Sequence, residues 1–352
     1  MKSVGLHKLV AIFLTGIVGM LCSHGTMAQQ TTKTLQPASV KGLPSSMTLL
    51  SPYKYVRNNM DWNHQQLTTA VSGEVKPLLD VMPSDLRAIT LAFATGECGD
   101  ENWDGLEGEV FAKANINKLA QAGKWYIIST GGQAGAFTCA TDAGLTQFIE
   151  RYQSSHLIGF DFDIESSQSP QQIQQLVERI KTAQRHYPGL RFSFTLPTLA
   201  IKNKSALGAI GVTVMKAIRA AHLHDYYVNL MTMDYGVSSV EACVVGRDGR
   251  CDMGASAVQA ALNLHTFWKV PLSHIELTPM IGGNDTVDEV FTLEDIKTIT
   301  DFARQYHLAG VHFWSIDRDA DCAPGPASPE CNTYGKAGLL GFTTGFLQQL
   351  KH

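Results

Sequence analysis

LIGFDFDIE, residues 157–165, is the stretch from which both fold and chemistry follow. Residues along a strand alternate faces, so Asp161, Asp163 and Glu165 point one way while Phe160, Phe162 and Ile164 point the other. Three carboxylates in a row on an inner face are costly to bury without a purpose. Their like charges cannot all ionise comfortably, so at least one must hold a proton near neutral pH, which is what a general acid requires.

Outward from this strand, short apolar runs alternate with helical patterns. Candidate strands run from Tyr53 to Val56, Ala88 to Ala94, Trp125 to Ser129, Leu157 to Glu165, Arg191 to Thr195, Tyr227 to Met233, His274 to Met280 and Gly310 to Ser315. Between them lie helices. The clearest has Ser169 as N-cap, Pro170 at N1 and Gln172 at N3, with Ile173, Leu176, Val177 and Ile180 on one face. Another starts near Thr292 and buries Ile296, Ile299 and Ala303. Eight strand–helix repeats predict an α/β chain of the (β/α)8 TIM-barrel class, in which Glu165 sits at the C-terminal strand end where barrel sites form. A doubly wound open sheet is the competing architecture; it would want a glycine-rich phosphate loop after the first strand, and the sequence has none.

The 352 residues carry a net charge of −4, with 44% hydrophobic and 17% charged residues. Such a balance disfavours nucleic acid and anionic membranes as partners, because both require an excess of Lys and Arg. Lys2 and Lys8 precede an apolar run from Leu9 to Cys22, with a small-residue cleavage site at Thr26-Met27-Ala28. Residues 1–28 therefore read as a secretory signal peptide, too short in its apolar part for an easy bilayer span. The expectation is an exported protein, extracellular or periplasmic, with no membrane association after cleavage. Residues 29–47, rich in Gln, Thr, Ser and Pro, read as a flexible lead-in, and residues 48–352 as the barrel.

GFDFDIE resembles the DxxDxDxE signature of family 18 glycoside hydrolases, the chitinases and their relatives, with Ile158 in place of the first Asp. Ser129-Thr130-Gly131-Gly132 is similar to that family's SxGG motif, NLMTMDY (229–235) to its sixth-strand motif, and Trp314 to the Trp ending its eighth strand. The resemblance implies retaining, substrate-assisted hydrolysis of β-1,4-linked N-acetylglucosamine, in which the substrate's acetamido oxygen is the nucleophile. Glu165 would be acid and base, Asp163 would orient the acetamido group, and Asp161 would share charge with Asp163. Trp314 would floor the site, with Gly131, Gly132, Met231, Asp234 and Tyr235 also binding substrate. Met233 stands where the family commonly has Tyr, and Tyr235 faces the site only if the strand has ended before it. Chitin or its oligosaccharides are the implied partners of a monomer needing no cofactor and no metal. An endo-β-N-acetylglucosaminidase acting on N-glycans, or a non-catalytic lectin, are the alternatives on the same scaffold.

Trp62 and Trp103 follow the first and second strands and are candidates for stacking on outer sugars; Trp125 and Trp268 read as packing. Setting Cys22 aside leaves six cysteines, an even number that in an exported chain suggests disulfides, with fifteen pairings possible. All six fall in loops after strands. Loop-local pairs Cys243 with Cys251 and Cys322 with Cys331, plus Cys98 with Cys139 between adjacent strands, are the simplest arrangement. The short gap between Met280 and Thr292 leaves no room for a large insertion domain, which predicts a shallow, endo-acting cleft.

Overall fold

The computed structural model describes residues 48–351; the expected signal peptide and lead-in lie outside them. A parallel sheet closes on itself as a (β/α)8 barrel. Strand β1 is made of two pieces, Leu49–Leu50 and Tyr53–Tyr55, followed by β2 (Ala88–Ala94), β3 (Trp125–Gly131), β4 (Leu157–Asp163), β5 (Arg191–Pro197), β6 (Tyr227–Met231), β7 (Ile275–Thr278) and β8 (Gly310–Val311). After them come α1 (Leu78–Val81), α2 (Gly108–Gln121), α3 (Asp142–Arg151), α4 (Pro170–His186), α5 (Ala209–Ala221), α6 (Met253–Trp268), α7 (Leu293–Tyr306) and α8 (Gly341–Leu350).

The seam lies at β1. Its first piece pairs with β8 and its second with β2, so the chain crosses from one neighbour to the other at Ser51-Pro52. Proline has no N–H to give a ladder, which fits it to this break. The sequence expectation caught only the second piece. It also overran β8: beyond Val311 the ladder is irregular, although the His312 and Trp314 amides still donate to Leu277 O at 2.8 Å and Pro279 O at 2.9 Å.

Outward-facing Phe160, Phe162, Phe192 and Phe194 are fully buried with the α4 residues Ile173, Leu176, Val177 and Ile180. Each such side chain contributes about 1.5–3 kcal/mol by leaving water. The α4 start is as the sequence predicts. Ser169 Oγ accepts from Gln172 N at 3.3 Å, and Gln172 Oε1 accepts from Ser169 N at 2.8 Å.

Three disulfides bind the loops at the C-terminal ends of the strands: Cys243–Cys251 and Cys322–Cys331 within single loops, and Cys98–Cys139 between the loops after β2 and β3, the arrangement expected from the sequence. Between β7 and α7 stands a hairpin, Gly282–Gly283 antiparallel to Val290–Phe291.

Candidate active site

Strand β4 delivers its carboxylates to successive depths. Asp161 is the deepest. Tyr53 OH (2.9 Å) and Ser129 Oγ (2.6 Å) donate to its Oδ2; Ser193 Oγ (3.1 Å) and Thr195 Oγ1 (2.6 Å) donate to its Oδ1. Burial raises its pKa, and the Ser129, Thr195 and Tyr53 hydroxyls pull it part of the way back. Asp163, one layer up, is buried with Oδ1 lacking any hydrogen-bond partner. Burial, then the charges of Glu165 and Asp161, push its pKa well above the carboxylate range. Glu165 lies two residues beyond the end of β4, half-buried; burial, then Asp234, raises its pKa to about 7.

Asp163 and Glu165 open into a cleft of roughly 620 Å³, counting space continuous with solvent. Asp234 and Asp285 complete its acidic wall, and Met231, Met233 and Met280 form a thioether wall. Tyr53, Phe93 and Trp314 make an aromatic floor, with the Phe93 and Trp314 rings 5.6 Å apart and 14° from parallel. Thr195, Thr278 and Gln133 supply neutral polar groups.

Asp234 stands past the end of β6 with φ +51°. Its Oδ1 accepts from Thr286 N at 2.9 Å. Partial desolvation raises its pKa, opposed by that amide.

Of the residues expected from the sequence, Asp163, Glu165, Met231, Asp234 and Trp314 meet in this cleft. Asp161 does not line it and instead accepts from hydroxyls, two of which, on Tyr53 and Thr195, do line it. Gly131 and Gly132 do not line it either. Gly131 has φ +83°, and a Cβ there would lie 2.2 Å from the Asp163 carbonyl oxygen; at Gly132, φ +80°, it would lie 2.9 Å from the Phe93 ring. Gly131 lets β3 close on the backbone that carries Asp163, and Gly132 lets the chain pass against the Phe93 ring.

Two expectations are corrected. Trp103 is 1% exposed, stacks on Phe111 at 4.0 Å and donates Nε1–H to Tyr152 OH at 2.8 Å. It packs beneath its own loop and offers no face to a sugar. Tyr235 is 4% exposed and belongs to the apolar core, because the left-handed turn at Asp234 sends the next side chain inward. Trp62 is 47% exposed but does not line the cleft.

Sequence reasoning missed Tyr53, Phe93, Gln133, Thr195, Met233, Thr278, Met280 and Asp285. Thr195 and Thr278 were reachable, since each lies at or near the end of a strand, on the inward face. Gln133 and Asp285 sit in loops and carry no periodic signal. Among the described residues, no group of three or more His, Cys, Asp or Glu is arranged to hold a metal ion.

No protein-family model matches the chain. It is 29% identical over 227 residues to a probable bifunctional chitinase/lysozyme of Escherichia coli (strain K12), covering 58% of this chain and 24% of that protein. It is 29% identical over 231 residues to endochitinase 11 of Metarhizium anisopliae, covering 60% and 43%. The chain thus spans less than half the length of these curated relatives. Among solved structures, the catalytic domain of a hyperthermophilic chitinase from Pyrococcus furiosus is 25% identical, with a TM-score of 0.66 over 87% of this chain and 95% of that one. A chitinase from Flavobacterium johnsoniae, 13% identical with a TM-score of 0.52 over 87% and 94%, shares the fold.

Proposed function

We propose that the chain is an exported glycoside hydrolase that cleaves β-1,4-linked N-acetylglucosamine polymers with retention, by substrate-assisted catalysis. The observation that carries this reading is the pairing of Glu165, protonated for much of its population near neutral pH, with the unpartnered buried Oδ1 of Asp163 over an aromatic floor. The chitinase relatives and the (β/α)8 fold support it.

In this reading a sugar sits on Trp314 and its acetamido N–H donates to Asp163 Oδ1. Asp163 can accept that bond even as a neutral acid, with its proton on the other oxygen. The acetamido oxygen forms a bond to the anomeric carbon as the glycosidic bond breaks, and the Glu165 proton passes to the leaving oxygen. Water then adds at the anomeric carbon, giving its proton to Glu165 and releasing the acetamido oxygen. The bond is replaced twice, so configuration is retained. Endo action is favoured because only a hairpin, and no insertion domain, stands between β7 and α7 to wall the cleft. Three disulfides among the loops support export to an oxidising compartment.

The test compares wild type with Glu165→Gln on chitin hexaose and on an N-glycosylated protein, following product anomers by NMR. The expected result is hexaose cleavage with the β-anomer formed first, and loss of turnover but not of binding in the variant. Cleavage of the glycoprotein alone would shift the reading to the N-glycan alternative, and inactivity on both would sink it.

A further inference from the structure

We propose that Glu289 is a positioning residue for Asp234; the proposal rests on the glycosidase reading above. Glu289 sits on the hairpin after β7, beside exposed Val287 and Asp288, yet is itself only 1% exposed. Among the described residues it forms no ion pair with Lys or Arg, although a buried carboxylate normally requires one.

Its partners are backbone amides. The N–H of Tyr235 donates to Glu289 Oε2 at 3.1 Å, and the amides of Asp234 and Gly236 turn toward the same carboxylate. Successive N–H groups converging on one anion form a nest. Here the nest is closed by Asp234 at φ +51° and Gly236 at φ +99°. A residue with a side chain keeps a left-handed conformation only where its surroundings impose it, and Glu289 supplies that constraint from behind.

The same hairpin also reaches the other side of Asp234. Thr286 N donates to its carboxylate at 2.9 Å, and Asn284 Oδ1 accepts from its backbone N at 3.4 Å. Asn284 is fixed in turn by donating to Met280 O and Gly282 O, each at 3.0 Å, while its own N donates to Glu289 O at 2.9 Å. Behind Glu289 lies the Cys243–Cys251 bridge, with Cys251 Sγ 3.9 Å from Glu289 Oε1. Two carboxylates this close repel, so apolar packing alone would not select an acid at 289. Capture of the Tyr235 amide, with those of Asp234 and Gly236 turned toward the same carboxylate, does, and its product is an Asp234 side chain aimed into the cleft beside Glu165.

The experiment measures kcat and KM on a chitin oligosaccharide for wild type, E289A, E289Q, E289D, D234A and the D234A/E289A double variant. E289A is expected to lower kcat by about 10- to 100-fold with KM within about threefold, as a misplacement of order 1 Å in a catalytic wall does. E289Q keeps an oxygen for the same amides and should return kcat to within about threefold of wild type. The double variant should be no slower than D234A, because the two residues act as one unit. An E289A enzyme with wild-type kcat overturns the proposal, as does an E289A loss that persists undiminished in the D234A background. If E289A does not fold, E289D replaces it in the cycle, since its shorter side chain withdraws from the amides but keeps the charge. A wild type inactive on every oligosaccharide removes the glycosidase reading and this inference with it; an active wild type indifferent to residue 289 removes only the inference.

Discussion

In the proposed role Glu165 serves as an acid only while protonated, so activity should fall as pH rises through about 7. Burial raises its pKa first and the charge of Asp234 raises it further. Burial and the charges of Glu165 and Asp161 push the Asp163 carboxyl up as well. Asp234→Asn removes the negative charge that raises the Glu165 pKa, and the alkaline limb of kcat/KM should move to lower pH. A pH–rate profile of the variant with an unmoved limb would show that burial alone tunes Glu165. At this scale the sequence was legible where a period existed. The alternation in GFDFDIE placed three carboxylates on the inner face, whereas Tyr235 and Glu289 each follow a left-handed residue, Asp234 and Asp288, that decides which way the next side chain goes, and Trp103 lies in a two-residue strand too short for a pattern.

Among the elements, the loops after the strands depend on their staples. Closing a loop lowers the entropy of the unfolded chain, and the cost of losing the bridge grows with the number of residues enclosed. Cys98–Cys139 encloses a separation of 41, against 8 and 9 for the other two bridges. Its removal as a Ser pair should cost about 4 kcal/mol, and removal of either short bridge about 2.5 kcal/mol. Calorimetry of the three double-Ser variants checks the order. Equal losses would mean that local packing, not chain entropy, sets their worth. Continuous apolar runs such as AITLAFA gave β2 its observed bounds, Ala88–Ala94. The split β1 escaped because each piece is too short for a pattern, and only the closed barrel tells Leu49–Leu50 that it faces β8.

The described residues place several carboxyls out of water, and at the scale of the whole fold this sets the response to pH. Burial raises Glu165 and Glu289 to about 7 and Asp319 to about 6, although Asp319 also accepts from Phe342 N and Thr343 N at the start of α8. A carboxyl whose folded pKa exceeds its unfolded value favours the folded state fully below the unfolded value, near 4, and loses that contribution as pH rises through the folded value. Carboxyls shifted the other way act in a lower window. Burial works against Glu276, but the Arg191 charge and the contact with the His312 ring outweigh it and hold its pKa below normal, so its contribution is complete by about pH 5. Between pH 5 and pH 8 the first group therefore dominates, and Tm should decline with rising pH. Glu165→Gln, which removes one of these buried charges, should raise Tm at pH 8 and leave it nearly unchanged at pH 5, a gain in stability made at the expense of catalysis. Scanning calorimetry of both proteins at the two pH values decides the matter: a Tm that climbs from pH 5 to pH 8 contradicts the burial argument, and a variant stabilised equally at both would place its gain in packing rather than in charge.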